Sequence, residues 1–173
     1  MWPRVCGRVR LPVKLNDLTP LQWRPASAED LPEVFALFSA ISSFDETSQN
    51  WSLDELRDWH TDSMASAEVA AGPMMLGYDE TSLVAAGWCT VIRAAEATVR
   101  LDGAVHPAYR HQGIGRALLR WQQEAARGWR DRHAAGRSLR MLGYSDEALV
   151  GKRHLYLRLG LHPRCWFIDM VCQ

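Results

Sequence analysis

No stretch of the sequence holds the roughly 20 consecutive apolar residues that span a bilayer, so no membrane segment is expected. The four cysteines, Cys6, Cys89, Cys165 and Cys172, form no Cys-x-x-Cys pair and keep no regular spacing with histidine. Neither a metal site nor a disulfide framework is expected, and reduced cytoplasmic thiols are the default. Net charge is absent too: 20 basic residues balance 20 acidic ones, which argues against bulk affinity for nucleic acid or for a membrane surface. Residues 1–17 carry Arg4, Arg8, Arg10 and Lys14 without a continuous apolar run, and read as a basic N-terminal arm rather than a secretory signal. No repeat is visible. With 173 residues, 47% of them apolar, one domain over 18–173 accounts for the rest.

What is present centres on Arg110-His111-Gln112-Gly113-Ile114-Gly115. The preceding residues 97–105 place Val99, Leu101, Gly103 and Val105 on one face at period two, as a strand requires, and His106-Pro107 ends it. Beyond the glycines, Ile114, Ala117, Leu118, Trp121, Ala125 and Trp129 recur at intervals of three and four, one face of a helix. The first-turn N–H groups of that helix lack internal partners and share the positive end of its dipole, so a phosphate or pyrophosphate fits there. The glycines permit φ > 0 and close approach of a ligand, although a plain tight turn would also explain them. There is no Gly-Lys-Ser/Thr of a nucleoside triphosphate site, and no third glycine of a dinucleotide fingerprint. Eight arginines fall between residues 110 and 140, against Glu124 and Asp131. Most read as a solvated face, while Arg110 and Arg116 flank the loop and are placed to neutralise phosphate.

This segment resembles the coenzyme A-binding motif of the GNAT superfamily of N-acetyltransferases, Arg/Gln-x-x-Gly-x-Gly/Ala between a strand and a helix. Arg110, Gly113 and Gly115 fill its three fixed positions. Val105-His106-Pro107-Ala108-Tyr109 is similar to the family's lead-in, and Leu155-Tyr156-Leu157-Arg158-Leu159-Gly160-Leu161 resembles its Leu-Tyr-x-x-x-Gly-Phe segment. Two departures stand out: Leu161 replaces an aromatic residue, and Leu149 replaces the asparagine seven residues before the tyrosine. The resemblance runs from about residue 21 to 170 and implies an α/β fold, a GNAT-like acyl-CoA N-acyltransferase with a central mixed sheet flanked by helices. It also implies acetyl-CoA as cosubstrate and an amine as acceptor. The cofactor-binding residues it implies are Ala104 and Val105 through backbone pairing with the pantetheine arm, and Arg110, His111, Gln112, Gly113, Ile114, Gly115, Arg116 and Ala117 at the phosphates.

The remaining order agrees: a strand over 18–24, a helix capped by Ser27, and a helix opened by the capping box Ser52-Leu53-Asp54-Glu55. Strands over 74–78 and 83–92, a strand over 138–143 and a helix over 146–159 ended by Gly160 follow. A last strand is expected over 165–171. The family normally adds one more strand, which leaves three expectations: a minimal fold, a strand lent by the arm or by a second copy in a homodimer, or kinship with one half of a mycothiol-synthase-like tandem acetyltransferase.

Attack of an amine on a thioester requires loss of a proton from the amine, donors for the oxyanion and a proton for the departing thiolate. Tyr156, with an ordinary pKa near ~10, is the candidate acid; the alternative is a core tyrosine whose hydroxyl reaches the surface. Asp102 is the candidate base, with Glu96 or a water relay as alternatives, and His106 and His111 read as turn residues beside the loop. A non-catalytic acyl-CoA-binding module, or half of a larger assembly, is the competing reading. A nucleic-acid binder using the arginine-rich helix is the weaker third.

Overall fold

The computed structural model describes residues 14–47, 52–66 and 69–166. A five-stranded sheet is built from β1 (Gln22–Pro25), β2 (Met75–Asp79), β3 (Ser82–Arg93), β4 (Thr98–Val105) and β5 (Arg140–Leu142), in that spatial order. The first four strands are antiparallel neighbours; β5 runs parallel to β4. Helices α1 (Leu31–Asp45), α2 (Leu53–Ala65), α3 (Ile114–His133) and α4 (Val150–Arg158) complete the fold. This is the mixed α/β sheet with flanking helices that the sequence predicts. No helix among the described residues is long and apolar enough to cross a membrane.

Alternation along the strands divides the core into two layers. On one face Leu31, Val34 and Leu37 of α1 and Leu56 of α2 meet Leu76 and Trp88. On the other, Leu119, Ala126 and Trp129 of α3 cover Cys89, Val99 and Leu101. Ile114, Ala117 and Leu118 close the loop end of the same helix over Val84 and Ala85.

Trp121 and Ala125, expected at the centre of the buried stripe, are only half-buried, and Gln122 and Ala126 take that place. Gln122 can lie there because its amide donates to the carbonyls of Trp88, at 2.8 Å, and Asp102, at 2.6 Å. Both amide hydrogens are thereby used, which removes the penalty of a buried polar group. Gln122→Ala is expected to lower unfolding free energy by about 1–3 kcal/mol, read as a fall in the urea midpoint at unchanged m value.

Elements differ from expectation mainly at their ends. β1 begins at Gln22 because a 3-10 turn, Leu15–Asp17, precedes it. Leu15 is 3% exposed, and Asn16 Oδ1 accepts the Trp23 N–H, so the domain reaches back into residues that sequence assigns to the arm. The Ser27 cap opens a 3-10 turn, Ala28–Asp30, which leads into α1, whereas the Ser52 capping box forms as read. α4 starts four residues late: Asp146 Oδ1 accepts the Ala148 N–H at 2.9 Å, a local turn that competes with helix. It ends as expected, in a Schellman motif, with Gly160 at φ +85° and the Leu161 N–H bonded to the Tyr156 carbonyl. Cys165 and Trp166 are exposed and outside any strand; the rest of the expected last strand lies outside the described residues.

Candidate active site

β5 pairs with β4 only at Thr98, Val99 and Arg100, so beyond Arg100 the two strands part. Among the described residues no strand covers β4 from Leu101 to Val105 on that side. The His106 N–H donates to the Val84 carbonyl at 2.8 Å. By antiparallel alternation the backbone of Ala104 therefore faces β3, while Gly103 and Val105 turn theirs to the open edge. Of Ala104 and Val105, the two that the resemblance implies for backbone pairing, Val105 turns its backbone to the open edge and Ala104 does not; Gly103 does.

Next comes the loop. Pro107–Tyr109 form a 3-10 turn, and the Tyr109 hydroxyl donates to Asp79 at 2.8 Å, fastening the loop to the end of β2. His111 at φ +64° and Gly113 at φ +86° both take the left-handed conformation, and Gly113 caps α3. Ala117 N–H makes the first helical bond, to the Gly113 carbonyl. The N–H groups of residues 112–116 find no protein acceptor among the described residues and lie at the positive end of a 20-residue helix without an acid in its first turn. Arg116 is exposed beside them, as is His111.

Arg110 is placed differently from its sequence reading. Its guanidinium makes a bidentate pair with Asp45 at the end of α1, both contacts 2.7 Å, and its Nε donates to the Val105 carbonyl. The Asp45 side chain is 7% exposed, so the charge expected to meet phosphate is already neutralised inside the protein. Arg110 braces the loop against α1 and β4, leaving Arg116 as the cation open to solvent.

Across the cleft stands α4. Leu155 approaches Gly115 so closely that a Cβ there would lie 3.3 Å from Leu155 Cδ2. At the next residue, the Tyr156 ring lies against Gly143, where a Cβ would come within 2.8 Å of Tyr156 Cζ. The Tyr156 hydroxyl donates to the Tyr144 carbonyl at 3.3 Å. Burial, reinforced by the negative charge of Asp102, pushes this phenol well above the usual tyrosine range, so it is protonated at any working pH. Lys152, which sequence reasoning passed over, holds its Nζ 5.9 Å from the centre of that ring.

Asp102 lies on the same side of β4 as Arg100, its Oδ2 accepting from Arg100 Nε at 2.8 Å and from Thr90 Oγ1 at 3.1 Å. Glu96 is not near the cleft. It precedes β4, at the end where β4 and β5 are still paired, and its carboxylate meets Arg93 and Arg140. A shallow depression of about 570 Å³ at the β1 edge, lined by Leu21, Trp23, Arg24 and Tyr78 among others, has neither the helix start nor the unpaired strand edge that mark the cleft.

A family model described as acetyltransferase (GNAT) domain matches residues 75–161, half of the chain and every element of this cleft. The chain belongs to the GNAT acetyltransferase family. Its fold is similar to that of a GCN5-related N-acetyltransferase from Sphaerobacter thermophilus, at 20% identity and TM-score 0.68 over 83% of this chain and 44% of that one. It is also similar to an N-acetyltransferase from Staphylococcus aureus Mu50, at 18% identity and TM-score 0.60 over 80% and 81% of the two chains. A phosphinothricin acetyltransferase from Sinorhizobium meliloti, solved in complex with acetyl-CoA, gives 17% identity and TM-score 0.60 over 81% and 74%. No curated protein matches the sequence.

Proposed function

We propose that this chain is an acetyl-CoA-dependent N-acetyltransferase that moves the acetyl group to an amine, on a small molecule, by direct attack on the thioester. One observation carries the reading: the edge of β4 that no strand covers among the described residues leads to the N–H groups of residues 112–116, which find no acceptor there either. A pyrophosphate at residues 112–116, assisted by Arg116, would be held by main-chain donors and the helix dipole. The pantetheine amides would then pair with Gly103 and Val105 as an added strand does. That path sets the thioester beside Tyr156.

Tyr156, kept protonated by its surroundings, gives its proton to the departing thiolate. Asp102 takes the amine proton through water; its hold by Arg100 and Thr90, which orients the carboxylate, supports that role. The isolated cysteines support a reducing, cytoplasmic setting. A second reading, half of a larger acetyltransferase assembly or a pair of identical chains, draws on the 44% span of the Sphaerobacter relative. Release of free thiol from acetyl-CoA across a panel of small amines tests the proposal. Turnover with at least one amine supports it; tight acetyl-CoA binding without thiol release from any amine would make the chain a binding module instead.

A further inference from the structure

The sequence holds 18 arginines but only two lysines, Lys14 and Lys152. Lys14 is exposed ahead of the first strand. Lys152 is half-buried in the first turn of α4, four residues before Tyr156 and so on the same side of the helix. Arginine stays charged at any working pH, whereas a lysine amine gives up its proton when its surroundings disfavour charge. A surface charge or a carboxylate partner is a role that arginine fills elsewhere in this chain; an uncharged amine is one that arginine cannot fill.

The surroundings of Lys152 make its proton easier to lose than that of a lysine in water. Among the described residues it makes no hydrogen bond and no ion pair, and its Nζ is 5.9 Å from the centre of the Tyr156 ring. The two carboxylates that act on it are engaged already, Asp102 by Arg100 and Thr90, and Asp45 by Arg110. Burial pulls the ammonium below the usual lysine range; Asp102 and Asp45 oppose that pull, and Arg110 adds to it.

We infer that Lys152 is an internal acyl acceptor: when no acceptor amine occupies the cleft, its Nζ attacks the acetyl thioester held beside Tyr156 and becomes Nε-acetyl-lysine. The inference rests on the reading that acetyl-CoA lies along the open edge of β4. The lone pair of Nζ forms the new bond to the acetyl carbon, the tetrahedral oxyanion collapses and the carbon–sulfur bond breaks. The proton lost by the amine ends on the coenzyme A thiol, and nothing is oxidised or reduced. The product is an uncharged amide with its own donor and acceptor, better suited to a half-buried position than an unpaired ammonium. It also fills space beside Tyr156, so the modified chain turns over more slowly, and acceptor supply sets how much of the protein is active.

With only two lysines the test is unambiguous. Lys14→Arg leaves Lys152 as the only lysine; this protein is incubated with acetyl-CoA and no amine, then weighed intact and mapped by peptide. The same protein unfolded in urea supplies the uncatalysed rate, and calorimetry on the folded protein reports acetyl-CoA binding. The expected result is one acetyl group on Lys152, added at least about tenfold faster in the folded chain than in the unfolded one, since the cleft holds the reacting atoms together. Binding of acetyl-CoA with Lys152 unmodified, or modified no faster than in urea, overturns the inference and leaves the proposed function standing. Absence of binding overturns both.

Discussion

Gly113→Glu is expected to weaken acetyl-CoA binding by about 10²-fold, the loss that about 2.8 kcal/mol of new repulsion produces. Two effects act together. Gly113 sits at φ +86°, where any side chain is strained. Its carboxylate would also project among the N–H groups of residues 112–116, where the phosphates are to bind. Gly113→Ala separates the two: a Cβ at this position meets no heavy atom within 4 Å, so alanine brings only the backbone strain, about 1–2 kcal/mol of stability. Calorimetry with both variants distinguishes an anion site from a tight turn. If glutamate binds acetyl-CoA as well as alanine does, the loop is a turn and the phosphates lie elsewhere.

Tyr156→Phe is expected to reduce turnover by about 10²-fold while acetyl-CoA affinity changes little. The phenol beside the proposed sulfur position remains protonated, because burial and the charge of Asp102 both resist its ionisation. Phenylalanine keeps the ring, and hence the packing against Gly143. A fall in kcat without a rise in KM therefore reports the lost proton donor. A rise in KM alone would reassign Tyr156 to packing, and unchanged kinetics would remove it from the mechanism.

The parts of this site readable from sequence are those written in short-range spacing. The alternation of Val99, Leu101, Gly103 and Val105 marked β4, the spacing from Ile114 to Trp129 marked α3, and Gly113 between them was free to take the left-handed conformation that it has. What escaped depends on partners far along the chain. Nothing near Arg110 signals that Asp45, 65 residues earlier, claims its guanidinium. Gln122 carries no apolar signal, and it lies within the buried stripe only because two strand carbonyls meet its amide. Glu96 was plausible by closeness to β4, but it stands at the wrong end of the strand. Lys152 lies only four residues from Tyr156, yet the charges that act on it come from α1, β4 and the loop, far apart along the chain. The register of β3 with β4, which separates Gly103 from Ala104, is likewise a relation between two strands and not a property of either one.

Calorimetric titration of the unmodified chain with acetyl-CoA tests the central claim most directly, that the open β4 edge and the start of α3 form one cofactor site. The account predicts one binding site per chain with micromolar affinity, competed by free coenzyme A. No heat of binding across the accessible concentration range, from a chain shown by circular dichroism to be folded, would contradict it.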